Sequence, residues 1–410
     1  MPAILRYLGL TLLALIIAGA LAITIVPRFL DRIYYRGPVT GHFNGERFFN
    51  PDGDEDTTRP PTGGSRGGFF WRYLTGSDGR PEWPERVAVT RTRPAPRVEG
   101  ERMVVTWVGH ATVLVQTNGL NILTDPIWSR NAGPFWLGPK RVTEPGVRFE
   151  DLPKIDLVLV SHNHYDHMDL ATLKRLWDRD RPLIVTSLGN DAIVRNAGIP
   201  GARDKTDCNP CHGVEALDWG ELTAVARPGS RGDDGLAGVH ITRNHHWGSR
   251  WFTDRNRALW SSFVVKLPGG NVFFAGDTGF GDGRWPAEAT EWGPIRLALL
   301  PIGAFRFVPG QMASGSHIGP IYAAEIHERL GASTSLPIHW GTFRLSYEAY
   351  DTPPKLLAQT LRCTGQTGFL AAAIGRPVEI PAYRPPRPVR NVTDEQLEAC
   401  LNTPAVRALR

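Results

Sequence analysis

Six consecutive residues, His162-Asn163-His164-Tyr165-Asp166-His167, hold three imidazoles and one carboxylate. Imidazole nitrogen and carboxylate oxygen are the donors that borderline divalent metals such as zinc prefer. The spacing suits two ions better than one. His162 and His164 are two apart, so in an extended segment they point the same way. Asp166 and His167 are adjacent and point different ways, so they can serve a second centre. A surface loop gains nothing from such a density of ligands, whereas a metal pair does.

The flanks say where this cluster sits. Ile155-Asp156-Leu157-Val158-Leu159-Val160 is an apolar, β-branched run of strand length. Asp169 follows the cluster and can cap a helix over Leu170 to Trp177. The cluster therefore lies at the carboxyl end of a buried strand, just before a helix, where open α/β sheets place their sites.

Other segments repeat the arrangement. Val239 to Asn244 leads into His245-His246-Trp247, Asn271 to Gly276 into Asp277, and Ser335 to Ile338 into His339. Leu297 to Ile302 is followed by a Gly-containing loop that reaches His317. Only one of His245 and His246 need be a ligand, and Asp277 beside Gly276 also suits a turn. His240 reads as strand interior and His327 as a helix-face residue.

Taken in order, these motifs resemble the metallo-β-lactamase superfamily, whose signature is H-x-H-x-D-H. The likeness is nearest to the N-acyl-phosphatidylethanolamine phospholipase D branch and its bacterial relatives. It rests on Thr106-Trp107-Val108-Gly109-His110-Ala111-Thr112, Leu123-Thr124-Asp125-Pro126, Gly138-Pro139-Lys140-Arg141, Ser161 to His167, Phe274 to Gly279, Pro301 to Ala304 and Ile338 to Phe343. The resemblance implies a four-layer αβ/βα sandwich. It also implies that His162, His164 and His246 hold one metal, that Asp166, His167 and His339 hold a second, and that Asp277 bridges them. Asp166 and His317 take the catalytic roles, His317 touching the substrate or leaving group, and His110 and Asp125 support the ligands from behind. The ions would be zinc, with manganese or iron(II) as alternatives. The reaction implied is phosphodiester hydrolysis of a phospholipid by hydroxide held at the ion pair. The loop Met312 to Ser316 departs from the phospholipase pattern, which leaves open a lactone or other ester as substrate, or a non-catalytic binding protein on the same fold.

The ends of the chain carry a second signal. Tyr7 to Val26 runs twenty residues without a charge, enough to cross a bilayer, and Pro27-Arg28 closes it. Residues 1–30 are therefore expected to be an uncleaved membrane anchor, with a signal peptide as the rival. A short basic start places the catalytic domain on the periplasmic or other extracytoplasmic side. Arg28, Arg32 and Arg36 argue the opposite way under the positive-inside rule. Residues 31–100 read as a Gly/Pro-rich arm whose Phe69 to Leu74 run can dock on the core. Residues 101–376 form the hydrolase domain, and 377–410 a wrapping tail with a short helix near Asp394 to Leu401.

Net charge is +5, which suits an anionic partner such as a lipid headgroup. No basic block or aromatic stacking pattern marks a nucleic-acid binder. Cys208-Asn209-Pro210-Cys211-His212 matches the c-type haem attachment pattern, but its loop context favours a local disulfide or two thiols. Cys363 and Cys400 can pair in an exported domain.

Overall fold

The structure, a computed structural model, describes residues 2–53, 79–134, 138–202, 212–229, 235–251, 253–307, 311–312, 314–386 and 392–409. The expected docking run Phe69 to Leu74 and the Cys208–Cys211 pair lie outside them.

The first helix spans Pro2–Leu30. Its segment Ala3–Ala22 has a mean hydropathy of 2.1 and makes no burying contact with the rest of the protein. Length and composition suffice to cross a bilayer. The helix continues past Pro27, where the uncharged stretch ends, to Leu30. Proline there removes one backbone donor, and three helical residues follow it.

Thirteen strands follow among the described residues: β1 (Met103–Gly109), β2 (Thr112–Thr117), β3 (Leu120–Thr124), β4 (Leu157–Val160), β5 (Leu183–Ser187), β6 (Gly213–Leu217), β7 (Leu222–Ala226), β8 (Leu236–Thr242), β9 (Ser262–Lys266), β10 (Asn271–Phe274), β11 (Ile295–Pro301), β12 (Thr334–Ile338) and β13 (Pro377–Ile380). They build two sheets, ordered β13-β1-β2-β3-β4-β5-β6 and β12-β11-β10-β9-β8-β7. Strands β3 to β6 run parallel, as do β10 to β12.

Side-chain alternation sets the layers. In β4, Leu157 and Leu159 enter the core between the sheets, while Val158 and Val160 face helices on the outside. In β11, Leu297 and Leu299 point inward and Ala298 and Leu300 outward. A strand buried on both faces reads as a continuous apolar run, as these do. Helices Leu170–Asp180 and Asn190–Asn196 cover the first sheet, and Trp285–Thr290, Pro320–Arg329 and Thr352–Thr364 the second. The expected four-layer αβ/βα sandwich is the architecture observed. Asp169 caps the first of these helices by accepting from Thr172 N.

Both ends of the chain wrap this body. In the arm, Phe43 and Phe48 pack with Leu259 and Trp260, and Asp31 pairs with Arg47 and Arg257. In the tail, β13 pairs antiparallel with β1. A helix at Asp394–Leu401, started by a capping box at Thr393, is tied back by a Cys363–Cys400 disulfide.

Candidate metal centre

Every residue of the centre stands where a strand stops. The Ser161–His167 turn follows β4, Asp125 follows β3, His246 comes after β8, Asp277 after β10, and His339 directly after β12. His110 occupies the tight turn between β1 and β2. The two sheets bring these ends to one rim. Three of the centre's residues carry left-handed backbone without being glycine: His110 (φ 54°), Asp125 (φ 31°) and His339 (φ 64°). Such conformations cost energy and persist where the surroundings impose them, often at functional sites. Gly276 has φ 62°, and a Cβ there would lie 2.5 Å from the Ser161 Cβ. Glycine before Asp277 thus allows β10 to end against the cluster turn.

The donor atoms converge in two sets. His162 Nε2 lies 2.8 Å from His164 Nδ1, and His246 Nε2 lies 3.4 Å from that same atom. His167 Nε2 lies 3.1 Å from His339 Nε2, and Asp166 Oδ2 is 3.3 and 3.5 Å from the two. Asp277 faces both sets. Its Oδ2 is 3.0 Å from His167 Nε2 and 4.0 Å from His246 Nε2, and its Oδ1 is 3.1 Å from His339 Nε2. Four donors about 2.0–2.1 Å from a tetrahedral ion stand roughly 3.3 Å apart, which these separations bracket.

A layer behind the centre fixes which nitrogen faces inward. Asp125 Oδ2 lies 2.6 Å from His167 Nδ1 and also accepts from the Ser161 hydroxyl at 2.6 Å. Ser161 Oγ in turn sits 2.9 Å from His162 Nδ1, and the Ser316 carbonyl 2.9 Å from His246 Nδ1. Each outer nitrogen then carries the proton, and the lone pair on Nε2 points into the centre. His110 Nε2 lies 2.9 Å from Asp166 Oδ2 and orients that carboxylate. Asp125 and His110 thus stand behind the inner residues. Ser161 has no base of its own and serves as a relay between Asp125 and His162.

Electrostatics show a centre short of positive charge. Burial pushes His162 and His246 well below the usual imidazole range and His164 down to about 3. Burial alone would also lower His339, but Asp277 and Asp166 override it and raise it to about 9. His167, against the same burial, is held well above its ordinary value by Asp277, Asp166 and Asp125. Burial opposes the charge of Asp277 as well, yet His167, His339 and His317 keep it ionised. Without a cation, the carboxylates draw protons onto the histidines that would otherwise face metal. Asp277 Oδ1 and His317 Nδ1, on the side chains that meet at the centre, are buried without a well-aligned hydrogen bond among the described residues. A nitrogen- and oxygen-rich set of this kind fits divalent ions of the zinc type.

His317 reaches the same place from the loop after β11. Its Nδ1 is 3.8 Å from Asp277 Oδ2, and its ring lies 5.1 Å from that of His246. Burial lowers it to about 4, so it is neutral near pH 7. Of the histidine pair after β8, His246 points inward, while His245 turns to Asp52 at 3.0 Å. His240 and His327 are buried away from the centre, on Trp292 and Ser335 respectively.

Three contributors escaped the sequence reading. Asn50 of the arm donates to the His246 carbonyl at 2.9 Å. Arg250 donates to the carbonyls of Asn163 and Met168, each at 3.0 Å, and lies 4.0 Å over the Tyr165 ring. Thr342 Oγ1 accepts from His110 N at 2.9 Å. Only Thr342 had a signal, its place two residues after the His339-Trp340 pair.

Known proteins are similar to this chain. The family described as "Beta-lactamase superfamily domain" matches residues 120–340. An N-acyl-phosphatidylethanolamine-hydrolyzing phospholipase D 1 of Caenorhabditis elegans is 34% identical over 62% of this chain and 68% of its own. The corresponding mitochondrial protein of Saccharomyces cerevisiae is 34% identical over 63% of this chain, which spans only 52% of the yeast protein. Among solved structures, a possible metal-dependent hydrolase of Veillonella parvula superimposes with a TM-score of 0.50 at 13% identity, covering 68% of this chain and 99% of that one. The chain therefore belongs to the beta-lactamase superfamily and is a metal-dependent hydrolase of that fold.

Proposed function

We propose that the protein is a two-metal phosphodiesterase that hydrolyses N-acyl-phosphatidylethanolamine or a related phospholipid at a membrane, in the manner of a phospholipase D. The observation that carries this reading is Asp277 standing between two converging donor sets. The relatives of Caenorhabditis elegans and Saccharomyces cerevisiae, named for that substrate, support the choice of lipid.

In this reading His162, His164 and His246 would hold one ion, Asp166, His167 and His339 a second, and Asp277, which faces both sets, would serve either. Zinc suits the donors best, with manganese or iron(II) able to replace it. When bound, the two ions supply Lewis acidity, which makes water nucleophilic at neutral pH and offsets charge on the phosphoryl group. Asp125 and Ser161 keep the inner nitrogens deprotonated and aimed. Asp166, whose side chain is 14% exposed against 2% for Asp277, sits where it can accept a hydrogen bond from an entering water. The water oxygen joins phosphorus, the bond from phosphorus to the headgroup oxygen breaks, and the proton passes to that oxygen. His317 stands beside Asp277, where its imidazole can hydrogen-bond the leaving oxygen.

The helix Pro2–Leu30 anchors the protein beside its substrate. The Cys363–Cys400 disulfide supports an extracytoplasmic catalytic domain, because such bonds persist in oxidising compartments. The test is metal analysis of the full chain, followed by turnover on N-acyl-phosphatidylethanolamine vesicles, simple phosphodiesters and lactones. Two ions per chain and release of the headgroup alcohol are expected. Turnover confined to lactones would replace the phosphodiesterase reading. Two bound ions with no turnover on any of the three would make the protein a binding module.

A further inference from the structure

A cavity of about 940 Å3 opens between the arm and the loop that follows β3, and none of the seven inward-facing His and Asp residues lines it. Its volume lies within the range of about 300–1,000 Å3 usual for small-molecule sites. Among the described residues six cationic side chains line it, Arg80, Arg86, Arg130, Lys140, Arg141 and Arg344, against two carboxylates, Glu85 and Glu144; Arg344 also donates to the Pro81 carbonyl at 3.3 Å. Glu144 is already engaged, 3.5 Å from Arg91. Like charges gathered around one concavity repel each other unless an anion enters.

Arg141 sharpens the point. It is buried, and its guanidinium is held by the carbonyls of Ile127 (2.8 Å) and Ser129 (3.2 Å), with no carboxylate in contact among the described residues. The Thr143 carbonyl, 3.4 Å away, completes this shell, and the carboxylates of Asp169 and Glu144 act on the guanidinium only through space, so no direct ion pair neutralises it. The wall also carries two indoles, both fixed by hydrogen bonds: Trp83 Nε1 donates to Glu348 O and Trp128 Nε1 to Val147 O. Indole rings of this kind favour the headgroup level of a membrane.

We propose that this cavity is a second anion site, which takes the phosphate ester of an anionic lipid headgroup apart from the metal centre. Arginine forks pair with phosphate oxygens through two parallel hydrogen bonds, and lysine adds a point charge. The site lies close behind the centre. The Arg141 guanidinium is 4.9 Å from the Phe343 ring, and that ring packs edge-on against His110 at 5.2 Å. The proposal holds whichever bond the metal centre breaks.

The test uses the full chain in an uncharged detergent, titrated calorimetrically with inorganic phosphate, glycerol 3-phosphate and short-chain phosphatidylglycerol. Arg130 and Lys140 are exposed and have no part in the metal centre, so Arg130→Glu with Lys140→Glu alters charge without disturbing the core. Phosphatidylglycerol is expected to bind, and the double variant to bind it on the order of tenfold more weakly or worse. Arg130→Lys with Lys140→Arg should keep wild-type affinity. Equal affinity for inorganic phosphate, lost in the same double variant, would support the site and name free phosphate as its source. Asp277→Ala separates the two sites. Binding that vanishes in Asp277→Ala but survives the charge reversal belongs to the metal centre and overturns the proposal. So does the absence of binding by all three probes.

Discussion

Asp125→Asn isolates the layer behind the metal centre. Asp125 is fully buried and takes three hydrogen bonds, from Ser161 N at 2.7 Å, Ser161 Oγ at 2.6 Å and His167 Nδ1 at 2.6 Å. Asparagine has the same shape but a single acceptor oxygen. That oxygen can keep the Ser161 backbone bond, and the amide NH2 then faces two donors. His167 loses the group that fixes its tautomer, so its inner lone pair is no longer held toward the centre. Removing such a support typically costs 10–100-fold in metal affinity, about 1.4–2.7 kcal/mol. The loss should fall mainly on the ion beside Asp166, His167 and His339, because His162 feels Asp125 only through Ser161. The assay is metal content after dialysis against graded chelator. Wild type is expected to hold two ions at a chelator concentration that leaves the variant with one. Ser161→Ala should reverse the order and weaken the three-histidine side. If Asp125→Asn keeps both ions at the wild-type midpoint, or sheds the three-histidine ion first, the tautomer argument is wrong.

Other perturbations test other parts. Asp277→Ala removes the carboxylate shared by both donor sets and should abolish turnover and full metal loading together; normal turnover would end the bridging assignment. Burial pushes His327 down from 6.5 to about 4, so the fold prefers it neutral. Its contribution is fully present above pH 6.5 and is lost as pH falls from 6.5 toward 4, at up to about 1.4 kcal/mol per pH unit. The stability advantage of wild type over His327→Gln, read from urea midpoints, should shrink across that window; a constant difference would refute it. Deleting residues 2–30 should release the protein from membranes in a flotation assay, and continued flotation would move attention to the arm. The disulfide closes a separation of 37 residues, for which loop entropy gives about 4 kcal/mol. Cys363→Ser should therefore lower Tm, and an unchanged Tm would mean that the tail helix docks without the bond.

Much of the centre was legible because metal ligation constrains residue type and spacing together. His162, His164, Asp166 and His167 crowd one turn, and that alone implies ions. Asp277 and His339 stood out because each ends an apolar run that can only be a buried strand. The apolar start and the capped helices at Leu170–Asp180 and Asp394–Leu401 were likewise local patterns, readable without any partner.

What the sequence could not decide was long-range. Local pattern left His245 and His246 equivalent; the turn after β8 aims one inward and the other at Asp52 of the arm. The pairing of β13 with β1, the hydrogen bond from Asn50 to the His246 carbonyl and the hold of Arg250 on the cluster turn join residues far apart in the chain. No local propensity encodes such contacts. Residue chemistry therefore determined that side chains able to hold metal stand at the ends of the strands. Only the packing of two sheets rim to rim decided which nitrogen faces inward, because that depends on where the other sheet ends.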